Sequence, residues 1–138
     1  SDLSRIELGG ASLRLADREL KVPNGCTLLG PDRIRCPSAE LHWREPSPAC
    51  RATAESLKEG LEGLLARAGK VTHSTRACSV LGEQRTCEHY TLEPKGRPRV
   101  TILASIRGCQ HPMAQCNFLS APKQSFPEPC DQVFSGTP

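Results

Sequence analysis

Eight cysteines in 138 residues, none of them in a Cys-x-x-Cys pair, constrain this chain more than any other feature. An even count in a short chain, with no His-x-x-x-His spacing, points to disulfides rather than zinc. Disulfides at this density belong to an oxidising compartment, so the expected location is extracytoplasmic, either periplasmic or secreted. They also compensate for a thin core, because only five aromatic residues support the Leu, Val, Ile and Ala that make up the rest. The chain has no apolar h-region and no run long enough to span a bilayer. Ser1 therefore reads as the start of a processed or trimmed domain, and a lipid anchor upstream is compatible with that reading.

The strongest local pattern is helical. Cys50, Ala54, Leu57, Leu61, Leu64, Leu65 and Ala68 fall on one stripe, with Arg51, Glu55, Lys58, Glu59, Glu62 and Arg67 on the solvent side. Ser47 and Pro48 read as an N-cap and first helical residue, and Gly69 as a left-handed C-terminal cap. The expected helix is 47–69. Gly60 and Gly63 each cost it about 1 kcal/mol of propensity, so packing must hold it.

On either side the period is that of strands. Residues 1–46 read as a meander of short antiparallel strands (Ile6–Leu8, Leu13–Leu15, Leu20–Val22, then Leu28 and Ile34) punctuated by turn residues. Residues 70–121 read as longer antiparallel strands, with a hairpin closed at Gly82-Glu83. If Leu81 faces Gln84 there, Val80 faces Arg85, Arg76 faces His89 and Cys78 faces Cys87 at closest side-chain approach. Val100, Ile102, Ala104 and Ile106 form the face of a central strand that the helix covers. Residues 122–138 read as a Pro-rich tail pinned by Cys130. The chain is taken as a single disulfide-rich domain, with a fold class of α+β. Its antiparallel sheet of short strands is crossed by one central amphipathic helix and stapled by about four disulfides. The expected pairs are Cys78–Cys87, Cys26–Cys36, Cys109–Cys116 and, by elimination, Cys50–Cys130.

Composition excludes some functions. The net charge of +3 is spread over alternating acidic and basic residues, with neither a basic face nor aromatic platforms for nucleic acid. No nucleophile elbow, Walker loop, His-Glu-x-x-His or calcium loop is present. No cofactor or metal is expected, and Glu55, Glu59 and Glu62 read as a solvated helix face rather than a carboxylate pair. His42 and His89 read as structural, and His73 carries nothing distinctive. His111 differs, since a loop closed between Cys109 and Cys116 must be exposed and would project His111, Pro112 and Met113, flanked by Gln110 and Gln115.

Size and cysteine count match the pancreatic-type ribonucleases, but their Cys-Lys-x-x-Asn-Thr-Phe motif is absent. The loop from Cys109 to Cys116 is similar in kind to the histidine-bearing, cysteine-closed loop with which bacterial lysozyme inhibitors of the Ivy type plug an enzyme cleft. The likeness covers eight residues. With no catalytic set and with rigid stapled loops that can present a surface, the expected function is a non-catalytic, inhibitor-like or immunity-like module. It would bind another protein, such as an enzyme or toxin, through residues 110–115, and the loop likeness is an analogy to that role. Two alternatives stand beside it: a small secreted hydrolase assembled from His73, His89 and Glu88, and a structural ectodomain of an envelope complex.

Overall fold

The computed structural model describes residues 12–15, 18–119 and 125–138, so the strand expected at Ile6–Leu8 lies outside the described residues. Two antiparallel strands, β1 (Ser12–Leu15) and β2 (Arg18–Lys21), form a small sheet of their own. The main sheet contains β3 (Thr27–Leu28), β4 (Arg33–Arg35), β5 (Ala39–Arg44), β6 (Gly69–Val80), β7 (Glu83–Pro94), β8 (Val100–Ser105), β9 (Met113–Leu119) and β10 (Phe134–Ser135). Its order is β10-β6-β7-β8-β9-β5-β4-β3, antiparallel throughout.

The sheet curls into a half-barrel. Alternation along the strands sends Ile34, Leu41, Leu103, Cys116 and Phe134 to one face, where they share a core with Leu20 of the small sheet. Phe134 and Leu41 stand on strands far apart in the sheet order, so they can share a core only inside the curl. The Cys116–Cys130 bond spans the same interior. Phe126 stacks on Phe134 with ring centroids 5.4 Å apart and meets Phe118 edge-on. The tail from Phe126 onward is thus an ordered part of the core that ends in a sheet strand, and not merely a segment pinned by one cysteine.

A second, smaller core lies on the outer face. There the helix α1 (Ala54–Ala68) covers Tyr90, Leu92 and Ile102 with Leu65, and Leu61, Val71 and Val100 pack at its margin. β8 is central, as its composition implies, with Ile102 under the helix and Leu103 in the inner core. The α+β class holds. However, the two longest strands have twelve residues each, and the helix lies over one end of the sheet rather than across its middle.

The helix starts later than Ser47. Its N-cap is Thr53, whose Oγ1 accepts from the Ser56 amide while Ser56 Oγ accepts from the Thr53 amide, a reciprocal capping box. Residues 47–52 are drawn away from helix by tertiary bonds. Cys50 is bonded to Cys109, the Cys109 amide donates to Ala52 O, and the Ser47 amide donates to Cys109 O. Gly69 is not a left-handed cap either: its φ of 166° is extended. A glycine is required there because an added Cβ would sit 2.2 Å from Glu93 O.

Two of the four expected disulfides form, Cys26–Cys36 and Cys78–Cys87. The other two are exchanged: Cys50 pairs with Cys109 and Cys116 with Cys130. The physical reason is that Cys116 lies within β9, facing the inner core, whereas Cys109 lies in the loop before it. No single local loop can join them. The hairpin turn is also one residue earlier than expected. Leu81 and Gly82 both have positive φ, at 50° and 81°, and Val80 faces Glu83. Cys78 therefore faces Arg85, and its bond to Cys87 runs diagonally.

Candidate functional site

The residues expected at a projecting loop do not form one closed tip. His111 is exposed on a turn in which its amide bonds Gly108 O, and Gln110 Nε2 donates to Cys50 O at 3.0 Å. Met113 opens β9, where its sulfur accepts from Arg44. Gln115 is buried on β9 and donates to Asn117 Oδ1 at 2.9 Å, so it belongs to the sheet and not to a rim. Pro112 turns toward a different feature.

That feature is a cavity of about 460 Å³ at one end of the inner face, within the range of small-molecule sites. Its floor follows from the register. Trp43, Ala114 and Ser105 are successive cross-strand partners on β5, β9 and β8. Two small residues beside the buried indole leave the space unfilled. Val80 and Leu81 of the early hairpin turn make an apolar wall, and Pro112 contributes to another. The left-handed Leu81 is thus a strained position on a pocket wall, held by its amide bond to Val133 O at 2.8 Å.

Among the described residues, three arginines, Arg18, Arg85 and Arg107, and one carboxylate, Glu83, line the cavity. Arg85 is occupied by Glu83, which it contacts directly. The balance of charge at the mouth is therefore positive, and guanidinium groups present forked donors that suit carboxylate or phosphate. Among the described residues, no histidine or cysteine lines the cavity. Sequence reading missed this set because Arg18 lies on the small sheet, Arg85 on β7 and Arg107 in the loop after β8, and only the tertiary fold brings them together.

A second cluster lies on the outer face beneath the helix. His73 faces Tyr90 across β6–β7, and their rings stack at 4.7 Å. Glu88, diagonal to His73 in the ladder, places Oε1 2.8 Å from its Nε2. From the helix, Glu62 accepts the Tyr90 hydroxyl at 2.6 Å. Burial, followed by this bond to a carboxylate, raises the Tyr90 pKa well above its ordinary value. Glu62 is thus half-buried and partnered, not on a solvated face. His73 and Glu88 of the hydrolase alternative do meet. His89 does not join them, because alternation sends it to the opposite face of the sheet, where burial and then Arg76 lower its pKa.

Further along the outer face, His42 Nε2 lies 2.8 Å from Glu40 Oε1, a contact that becomes an ion pair only when His42 is protonated. No protein-family profile matches the chain, and no curated protein sequence matches it. Among the described residues, no helix is long and apolar enough to cross a membrane, and all eight cysteines are paired, which fits an oxidising compartment.

Proposed function

We propose that this chain is a non-catalytic, extracytoplasmic binding module that receives an acidic group of another protein in the mouth of the half-barrel. The observation that carries the reading is the arginine-lined cavity over the Trp43 floor. Three disulfides support it, because they hold the walls before any partner arrives. Cys50–Cys109 anchors the segment carrying Arg107 and Pro112, Cys78–Cys87 braces the hairpin end, and Cys116–Cys130 fixes β9 just beyond Ala114. Preorganised walls reduce the ordering cost of binding, which is what a rigid inhibitor-like or immunity-like surface requires. In this reading Pro112 contributes one wall of the mouth, and residues 110–115 do not act as a free-standing plug.

The test is fluorescence anisotropy of labelled peptides with the oxidised chain, comparing Asp/Glu-rich sequences with their Asn/Gln counterparts at several salt concentrations. Acidic peptides should bind at least about tenfold more tightly, lose affinity as salt rises, and lose selectivity in R107E and R18E. Equal binding of acidic and neutral peptides, or unchanged selectivity in both variants, rejects the reading.

A further inference from the structure

We propose that Glu62, His73 and Glu88 bind a divalent cation of the zinc class between the helix and the outer face of the β6–β7 hairpin. One donor atom from each of the three lies within 4.8 Å of the other two. Ligands at roughly 2.0–2.2 Å from a tetrahedral metal stand a little over 3 Å from one another. The His73–Glu88 pair, at 2.8 Å, is therefore already close to coordination spacing. Glu62 needs only a side-chain adjustment to complete the set. One imidazole nitrogen with two carboxylate oxygens suits Zn²⁺. Calcium prefers six to eight oxygens, and magnesium retains most of its water.

The surroundings are those of a prepared site. Tyr90, a fully buried side chain, orients two of the three donors at once: its ring stacks on His73 and its hydroxyl holds one oxygen of Glu62, leaving the other free. Metal ligands are commonly positioned by such outer hydrogen bonds, whose loss weakens binding about 10–100-fold. Two carboxylates converge here, and the adjacent cation, Lys58, is engaged by Glu55 at 3.2 Å. The His73 side chain is 36% exposed, so the fourth coordination position opens to water or to a partner's donor. The site and the arginine-lined mouth lie on opposite faces of the sheet, so either can stand without the other.

Isothermal titration of the oxidised full chain with Zn²⁺, in a non-chelating buffer, should show one saturable site per chain, with Ca²⁺ and Mg²⁺ binding far more weakly. Co²⁺ should give the visible absorption of a four-coordinate ion. H73Q and E88Q should each weaken Zn²⁺ at least about tenfold and remove the Co²⁺ bands. H111Q and E40Q, which alter donors elsewhere, should leave both unchanged. Y90F should weaken Zn²⁺ about tenfold with stoichiometry preserved, as expected of a positioning residue. Circular dichroism of the metal-free variants identifies any that fail to fold, and either H73Q or E88Q alone then decides. Absence of saturable binding overturns the proposal. So does wild-type affinity in the folded ligand variants, or loss of binding in H111Q or E40Q.

Discussion

The Tyr90 hydroxyl donates to Glu62 at 2.6 Å across the boundary between the helix and the hairpin. Tyr90 is fully buried in an apolar cluster, and the carboxylate that satisfies its hydroxyl is delivered by the helix. Hydrogen bonds to charged groups contribute about 1.5–3 kcal/mol, and Glu62 keeps some contact with water, which favours the lower end. Tyr90→Phe and Glu62→Ala should therefore each lower stability by about 1.5 kcal/mol in urea unfolding. The double mutant should cost clearly less than the sum. Additive losses would show that the two side chains do not act as a pair.

Leu64 and Leu65 are adjacent in sequence and opposite in environment. Leu65 is buried against Tyr90 and Ile102, whereas Leu64 is 62% exposed. Leu65→Ala should cost about 2–5 kcal/mol, and Leu64→Ala less than about 0.5 kcal/mol. Thermal melts of the two variants compare them directly.

Glycines 63 and 69 should respond to alanine with opposite signs. Nothing lies within 4 Å of a Cβ placed on Gly63 in mid-helix, so Gly63→Ala should raise stability by about 0.5–1 kcal/mol. At Gly69 the added carbon meets backbone, the carbonyl of Glu93, which cannot swing aside. Gly69→Ala should cost about 3 kcal/mol or more, by prising the first pair of the β6–β7 ladder apart.

His42 should make the fold acid-sensitive. Burial holds its pKa below the ordinary 6.5, with Glu40 opposing and Arg33 assisting. A depressed folded pKa means that the unfolded chain binds the proton first. The stability contributed by neutral His42 is thus intact above that ordinary value and declines as pH falls through it. Urea midpoints should drop from about pH 7 to about pH 5, and His42→Gln should flatten part of that drop. An unchanged slope in the variant would assign the acid sensitivity elsewhere.

Short-range chemistry was legible in the sequence, and long-range pairing was not. The helix, the hairpin, the central β8 and the two disulfides that close local segments follow from periodicity and turn residues within a few positions of one another. The helix start was misplaced because Ser47-Pro48 is a sound local signal overruled by the tertiary bond from Cys50 to Cys109. Glu62 carries the spacing of a solvated residue, and nothing local reveals that Tyr90, 28 positions away, seeks its carboxylate. The same holds for the mouth, where Arg18, Arg85 and Arg107 converge only after the sheet has curled. His73 and Glu88 were nameable, but their companion on the helix was not.

The helix ends at Ala68 and β6 begins at Gly69, with no connecting loop between them. A helix on a loop can lift from its sheet while the strands stay paired. Here any tilt of the helix axis must be taken up in the backbone of β6, where Gly69 is wedged against Glu93. Amide protons along α1 and at the open end of the β6–β7 ladder should therefore exchange with solvent in one concerted event, at a common opening free energy. Whatever grips the outer face then tightens the hairpin along the length it shares with the helix, and the end that carries Leu81 lies at the far side of the same two strands.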